Sequence, residues 1–311
     1  MVFYYSGIQT YQFFFTDDQG FWQTGYGFIG DFWTPNAIDG TDYRDHIEGG
    51  TLNDALHGHA GDDEIFGLGG NDDLMGGDGD DYLDGGNGDD FLRGGAGNDD
   101  FFGGEGHDDA HEFDGVSSFD MGAGDDWVWA YDAEKGVNQV GDVRAELGAG
   151  NDGILLQARS GIVYGGEGSD LIVVRERDVY DFFDTETPYG GKEVSSRYDL
   201  YGGADEDTFV FSNGDTEGVA LFAWIRDLEA HDSIALYGFE LAQDPSYGNA
   251  LDTNGDGFIT SGDAAVDYDK FLRAYVISAT DGSSIVFDTD WGRPASADQF
   301  YLSDRDFTFE L

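Results

Sequence analysis

The sequence predicts an all-β fold, a parallel β-roll built from nine-residue repeats. Three observations support this prediction: the sequence repeats every nine residues between Gly40 and His111, the sixth place of each repeat is aspartate, and the eighth is apolar. A flexible acidic linker would also be rich in glycine and aspartate, but it would not keep an apolar residue in phase with each aspartate. The double periodicity therefore favours a folded solenoid.

Eight units run without a gap from residue 40 to residue 111, and we number the places in each unit from one to nine. The units read GTDYRDHIE, GGTLNDALH, GHAGDDEIF, GLGGNDDLM, GGDGDDYLD, GGNGDDFLR, GGAGNDDFF and GGEGHDDAH. Place six holds Asp45, Asp54, Asp63, Asp72, Asp81, Asp90, Asp99 and Asp108. Place eight holds Ile47, Leu56, Ile65, Leu74, Leu83, Leu92, Phe101 and Ala110.

The spacing of these residues has a chemical explanation. Glycines at places one, two and four allow positive φ angles, so the backbone can make a tight turn in which carbonyl oxygens and the aspartate converge on one hard cation. The residues after the aspartate form a short strand, in which place eight points inward and places seven and nine face water. Two units complete one coil, so units two apart become neighbours. This arrangement predicts two rows of shared metal sites, one with Asp45, Asp63, Asp81 and Asp99 and the other with Asp54, Asp72, Asp90 and Asp108.

The composition also points to a metal. The chain has 65 acidic and 14 basic side chains, a formal net charge of -51, and a compact fold would crowd that charge against its own repulsion. Nucleic acid is excluded as a partner because it requires a basic surface that no stretch of this sequence supplies. Aromatic residues make up 15% of the chain, which argues against a permanently disordered polymer, and no cysteine is present for a disulfide or a thiolate site.

The unit pattern G-G-x-G-x-D-x-U-x resembles the calcium-binding repeat of RTX (hemolysin-type) proteins. This resemblance implies a right-handed parallel β-roll that holds several calcium ions, about eight by pairing units two apart and adding one further loop. It also implies a small type I secreted protein with a serralysin-like, β-sandwich-like C-terminal cap and no protease domain.

Degenerate units follow the continuous series. MGAGDDWVW (121–129), LGAGNDGIL (147–155), YGGEGSDLIV (164–173) and GGADEDTF (202–209) keep parts of the pattern. Their aspartates are predicted as further calcium ligands: Asp126, Asp152, Asp170 and Asp207. Residues 174–201 carry charges of both signs and are predicted to form a loop or insertion.

Four segments are predicted. Residues 1–39 are an aromatic-rich N-terminal cap for the roll, with an aromatic surface for carbohydrate, membrane or a partner as the alternative. Residues 40–129 are the calcium-binding roll, and residues 130–210 are degenerate coils with an insertion. Residues 211–311 form the C-terminal cap.

The cap contains a second candidate calcium site. DTNGDGFITSGD (252–263) resembles EF-hand and dockerin-like loops, which take oxygen ligands from alternate positions before a glycine turn. The matching ligands are Asp252, Asn254, Asp256 and Asp263. Aspartate replaces the usual bidentate glutamate at the last position, so this sequence predicts weaker binding than a full EF-hand.

The sequence also predicts an export route. The N-terminal residues lack the features of a secretory signal, and the family resemblance implies secretion from a Gram-negative bacterium by the type I apparatus through an uncleaved C-terminal signal. Residues 306–311, DFTFEL, fit such a signal loosely. An extracellular location and the type I secretion apparatus as a partner are therefore expected.

Neither an H-E-x-x-H nor a G-x-S-x-G motif occurs in the sequence, so zinc-protease and lipase chemistry are not predicted. Two classes of function remain. The first is a calcium-binding exoprotein that acts as an adhesion, surface or interaction factor toward cell-surface polysaccharide or membrane. The alternative is an extracellular enzyme that acts on polysaccharide, with its site in residues 112–201.

Overall fold

The computed structural model describes residues 3–5, 8–16, 22–29, 37–131, 140–175, 196–212, 221–237, 258–259, 266–269, 274–278, 284–289, 295–296 and 300–303. Over these ranges the chain forms strands and turns only, and no helix that could span a membrane occurs in them. The first strands are β1 (Phe3–Tyr5), β2 (Ile8–Thr16), β3 (Trp22–Ile29), β4 (Ala37–Asp39), β5 (Asp45–Gly50), β6 (Ala55–Ala60), β7 (Glu64–Gly69), β8 (Asp73–Asp78), β9 (Tyr82–Asn87), β10 (Phe91–Ala96), β11 (Asp100–Glu105), β12 (Asp109–Glu112), β13 (Gly115–Ala123) and β14 (Trp127–Tyr131). The remaining strands are β15 (Val140–Ala149), β16 (Gly153–Gln157), β17 (Ser160–Glu167), β18 (Leu171–Arg175), β19 (Ser196–Ala204), β20 (Thr208–Ser212), β21 (Leu221–Leu228), β22 (Ser233–Tyr237), β23 (Phe258–Ile259), β24 (Val266–Asp269), β25 (Ala274–Ser278), β26 (Ser284–Thr289), β27 (Ala295–Ser296) and β28 (Phe300–Ser303).

Twenty-six of these strands form two large sheets, and in the roll the chain passes from one sheet to the other at each turn, while β23 and β27 form a separate antiparallel pair. From β5 to β22 the odd strands join a 15-stranded sheet and the even strands join an 11-stranded sheet. Each strand pairs in parallel with the strand two units away, so Ile65 lies between Ile47 and Leu83 in one sheet. The predicted parallel roll, with units two apart as neighbours, is therefore confirmed.

The core lies between the two sheets and is built mainly from place eight. In β9, for example, Tyr82 is half-buried, Leu83 is fully buried, and Asp84 is half-buried again, as the strand alternation predicts. All eight place-eight residues of the continuous units are 0% exposed. They belong to a single apolar cluster with residues from both sheets, which is the main driving force for stacking the coils.

The glycines of each unit have two different roles, which corrects the prediction that places one, two and four all need positive φ. Places two and four adopt it, as in Gly86 (103°) and Gly88 (132°). The place-one glycine is needed for space instead, because a Cβ on Gly85 would lie 2.4 Å from Oδ2 of Asp90. A side chain on Gly85 would therefore crowd the carboxylate of its own turn, whereas in the later coils Met121 and Leu147 occupy place one beside a buried aspartate.

The coils continue beyond residue 111, although the sequence spacing changes. Val128 pairs with Ile154, 26 residues on, and Ile172 pairs with Phe209, 37 residues on. The additional residues fall at 132–139 and 176–195, outside the described ranges. Parallel pairing of neighbouring coils thus continues where the nine-residue period is interrupted, with one register shift between Gly115 and Ser117 in the pairing of β13 with β15.

The described C-terminal strands differ from the separate β-sandwich-like cap predicted after residue 211. β21 and β22 pair in parallel with β19 and β20, and β26 and β28 continue the same two sheets. Ala223, Ile225, Ile234 and Leu236 are buried because their alternation extends the apolar inner face of the roll. Antiparallel pairing of β24 and β25 onto β26 occurs only at the edge.

The two ends of the chain are described in part. At the N-terminal side, β3 pairs in parallel with β5, and β1 and β2 extend this sheet by antiparallel pairing. The four predicted ligands of the loop at 252–263 lie outside the described residues, as do residues 304–311 with the predicted export signal. The loop site and the signal remain predictions.

We expect Gly88→Ala to lower the stability of the calcium-loaded protein by about 1–2 kcal/mol or more, the cost of a left-handed conformation with a side chain. The added Cβ would also lie 1.8 Å from the carbonyl oxygen of Gly70. Gly69→Ala is the control, because its nearest neighbour would lie at an ordinary 3.7 Å. Thermal unfolding followed by circular dichroism measures the difference, and equal midpoints for the two variants would contradict this account.

Candidate metal centre

The place-six aspartates are buried in the turns that join the two sheets, with exposed fractions between 0% and 4%. From Asp63 onward each carboxylate links two coils, since its Oδ1 accepts a hydrogen bond from the backbone N–H of the aspartate in the preceding coil. Asp45 donates to Asp63 at 2.8 Å, and Asp63 donates to Asp81 at 2.8 Å. The structure thus brings the predicted aspartates together in the two predicted rows.

The second row is longer than the continuous repeats. After Asp108 it runs through the degenerate units, with the same hydrogen bond at 2.8–3.1 Å between successive members. These members are Asp126, Asp152, Asp170, Asp207 and Asp232. Sequence reasoning missed Asp232, although the apolar Ile234 two residues later is the signal that would have identified it.

The other carboxylate oxygen of most members faces a closed space between coils. Nine buried Oδ2 atoms have no hydrogen-bond partner among the described residues: those of Asp63, Asp72, Asp81, Asp90, Asp108, Asp126, Asp152, Asp170 and Asp207. At Gly76, the point where a Cβ would stand lies 2.2 Å from Oδ2 of Asp81 and 2.8 Å from the carbonyl oxygen of Gly94. A carboxylate and a carbonyl from successive coils therefore converge, and both are ligands that calcium prefers.

The described residues include no cluster of three or more acidic, histidine or cysteine side chains arranged to hold a metal. A cation in these turns would therefore take one carboxylate from each contributing unit and complete its shell with backbone oxygens. Calcium fits this donor set, because it binds both carboxylate and carbonyl oxygens and tolerates an irregular arrangement of its ligands.

Burial makes the ionised form of these aspartates costly. It raises the pKa of Asp63 to about 8, with the negative charges of Asp81 and Asp45 adding to the effect. Burial likewise raises the pKa of Asp72, Asp81 and Asp108 to about 7. Ionised carboxylates in these turns therefore need a counter-charge that the chain itself does not supply.

The first row ends differently from the second. The next unit in this row after that of Asp99 has Ser117 at place six. The three coils after it have Val143, Gly161 and Tyr198 at the same register. A carboxylate is nevertheless present, because Glu112 is fully buried in this turn. Burial and the charge of Asp99 raise the pKa of Glu112.

A second ladder of hydrogen bonds runs along the turns in the opposite sense. The place-five oxygen of one coil accepts from the backbone N–H of place five in the next, as Asp80 does from Asn98 at 2.8 Å. In the place-six ladder, by contrast, the backbone N–H of the earlier coil donates to the carboxylate of the later coil. Sequence reasoning missed place five, although Asn or Asp recurs there in most units.

A parallel solenoid with one buried carboxylate and converging carbonyls at each turn defines a calcium-binding repeat protein. Residues 39–74 and 75–110 match the family of the RTX calcium-binding nonapeptide repeat, four copies in each match. The chain therefore carries RTX calcium-binding repeats over residues 39–110. No curated protein is significantly similar to the chain.

We expect the metal-free roll to be more stable at pH 5 than at pH 8. The buried aspartates have raised pKa values, so the folded chain binds more protons than the unfolded chain between about pH 4 and pH 8. The stability they contribute is fully present below the unfolded pKa of 3.8 and is lost as the pH rises through about 7 to 8. The amount of β-structure in excess chelator, measured by circular dichroism at both pH values, checks this trend, and no more β-structure at pH 5 than at pH 8 would contradict it.

Proposed function

We propose that this protein is a secreted RTX exoprotein that folds when its turns bind extracellular calcium and that then serves as an interaction factor. The observation that carries the proposal is the set of buried, unpartnered Oδ2 atoms that face carbonyl oxygens in successive coils. The place-six aspartates of both rows are the proposed ligands, with Asp126, Asp152, Asp170 and Asp207 in the later coils. Bound calcium would neutralise carboxylates that otherwise repel one another.

The number of ions follows from the pairing of turns. Three pairs in each row of the continuous units, the pair Asp152–Asp170 and the loop at 252–263 give about eight ions. The second row also brings Asp108 next to Asp126, Asp126 next to Asp152, and Asp170 next to Asp207. Ions between these three pairs would raise the number above eight.

Calcium dependence supports an extracellular site of action. Extracellular calcium modules bind in the range of roughly 0.1–1 mM, far above cytosolic concentrations. The chain would then remain unfolded inside the cell and fold after export, because the buried carboxylates lack a counter-charge without the ion. RTX-repeat proteins are typically exported by type I systems, which supports the same route for this chain.

An aromatic patch on the outer face of the 11-stranded sheet supports the interaction role. His111 packs against Phe91 at an interplanar angle of 46° with ring centroids 4.9 Å apart. Trp129 stacks on both His111 and Trp127, with centroids 5.8 and 5.7 Å away. Contiguous aromatic faces suit sugar rings and membrane interfaces. Retention on immobilised polysaccharide and sedimentation with lipid vesicles, each with calcium and with chelator, distinguish these partners.

The alternative of a polysaccharide-acting enzyme receives less support from residues 112–201. The described part of this region consists of regular coils with an open depression of about 400 Å³ beside Asp142. Arg159 and Ser160 donate hydrogen bonds to Asp142 at 2.9 and 2.6 Å and lower its pKa. A carboxylate held in its ionised form in this way is poorly suited to act as a general acid.

We expect Asp81→Ala to raise the calcium concentration needed for folding several-fold, and Asp45→Ala to raise it much less. Asp81 is in the middle of its row, and its loss affects ions shared with both Asp63 and Asp99. Asp45 ends the row, and its Oδ2 already accepts a hydrogen bond from the Thr41 N–H at 2.5 Å. Calcium titrations followed by circular dichroism measure the two midpoints. Equal shifts, or full β-structure in excess chelator at pH 8, would refute the shared-ion roll.

We expect removal of the residues after Asp252 to retain the protein inside the producing cell, because the C-terminal segment is proposed to carry the type I address. Immunoblots of cells and medium measure the distribution, with a cytosolic marker as a control for lysis. Unaltered secretion of the shortened chain would refute the proposed route.

A further inference from the structure

The unit at residues 112–120 departs from the repeat at two places simultaneously. Place one is Glu112 where the eight continuous units have glycine, and place six is Ser117 where they have aspartate. Place eight is unchanged, since Phe119 is 2% exposed and pairs with Phe101 of the neighbouring coil. This unit therefore follows Asp99 directly in the first row.

The Glu112 side chain is fixed inside the turn. Its Oε1 accepts hydrogen bonds from the backbone N–H groups of Phe113 and Asp114 at 2.7 and 2.8 Å. Its Oε2 accepts one from the hydroxyl of Ser117 at 3.2 Å. The residue is 0% exposed, so these contacts hold a carboxyl group in a turn from which the place-six aspartate is missing.

Glu112 and Asp99 converge on one point between their coils. The position of a Cβ on Gly94 would lie 2.2 Å from Oδ2 of Asp99 and 2.6 Å from Oε2 of Glu112. At Gly76 the corresponding point has an aspartate oxygen at 2.2 Å and a carbonyl oxygen at 2.8 Å. Glu112 thus supplies a carboxyl oxygen where the other turns of this row supply a carbonyl. Oδ2 of Asp99 is buried and faces this point, and the Glu112 carboxyl group is its hydrogen-bond partner among the described residues.

The two exchanges occur in the same turn, and they change what the place-one side chain meets. Side chains at place one also occur beside a place-six aspartate, as Met121 does beside Asp126 and Leu147 beside Asp152. In the unit at 112–120 the place-six residue is Ser117, so the Glu112 carboxyl group meets a hydroxyl group there and not a second carboxylate. The paired exchange moves the carboxylate of the turn from place six to place one and does not remove it.

We propose that Asp99 and Glu112 form an additional calcium site, which extends the first row by one ion beyond its last place-six aspartate. This inference rests on the proposed function, because it assumes that the other turns of the row bind calcium. The row ends after this site, since the next three coils have Val143, Gly161 and Tyr198 at the register of place six. The competing occupant of the gap is a proton shared by the two carboxyl groups.

The test is the number of calcium ions bound by full-length Glu112→Gln, measured by native mass spectrometry and isothermal titration. Glutamine retains the length of the side chain and an oxygen acceptor for the N–H groups of Phe113 and Asp114, but it removes the charge. We expect one ion fewer than in the unmodified protein. Glu105→Gln is the matched control, because Glu105 is exposed on β11 and its loss removes the same charge without changing the number of ions.

A second variant separates the position of the carboxylate from general damage to the turn. Glu112→Gly combined with Ser117→Asp restores the ordinary repeat, and we expect it to bind as many ions as the unmodified protein. An unchanged number in Glu112→Gln would overturn the inference in favour of the shared proton, and a missing ion in the double variant would overturn it as well. The proposed function fails separately, if the unmodified protein binds no calcium or if Asp81→Ala does not affect binding.

Discussion

The structure depends on one buried carboxylate at each turn, which serves two purposes through its two oxygens. Oδ1 of Asp81 accepts the N–H of Asp63 at 2.8 Å and fixes the stacking of two coils. Oδ2 of the same residue faces a gap that the place-one glycine keeps open. The first contact requires the carboxylate to be buried, and the second leaves its charge uncompensated. Stacking the coils and needing a cation are therefore consequences of the same side chain.

The two rows contain these buried carboxylates over different lengths of the roll. The row that begins at Asp54 continues through every later coil to Asp232, whose Oδ2 accepts the N–H of Glu229 and so closes the series. The row that begins at Asp45 ends near Glu112, after which buried apolar and aromatic residues occupy the same register. Tyr198 belongs to this apolar portion, and its hydroxyl donates a hydrogen bond to the carbonyl of Ala158 at 2.6 Å.

Much of this arrangement could be predicted because the nine-residue period is itself geometric. Two units make one coil, so the spacing of Asp63 and Asp81 in the sequence gives their positions in the row. The later coils were only partly predictable, because pairing such as Val128 with Ile154 depends on backbone hydrogen bonds that tolerate inserted residues. Continuation of the sheets past residue 211 was missed for the same reason.

Glu112 was missed for a different reason. A pattern search scores each place separately, and it records glutamate at place one and serine at place six as two failures. The convergence of the Glu112 and Asp99 carboxyl groups between two coils is visible only in three dimensions. Place five was missed because Asn and Asp are common in any turn, and only the hydrogen bonds between coils show that they form a ladder.

Each row of turns forms one edge along which the two sheets of the roll are joined, and we call these two edges seams. One seam is lined by carboxylates along its whole length, so its closure depends on the ionic composition of the surroundings. The other seam depends on ions only up to Glu112, and beyond that residue it is closed by side chains such as Val143 and Tyr198, which do not respond to ions. A fall in calcium concentration would therefore weaken the contacts between the later coils along one seam only, so that these coils would separate on one side of the roll. The earliest coils would lose these contacts along both seams.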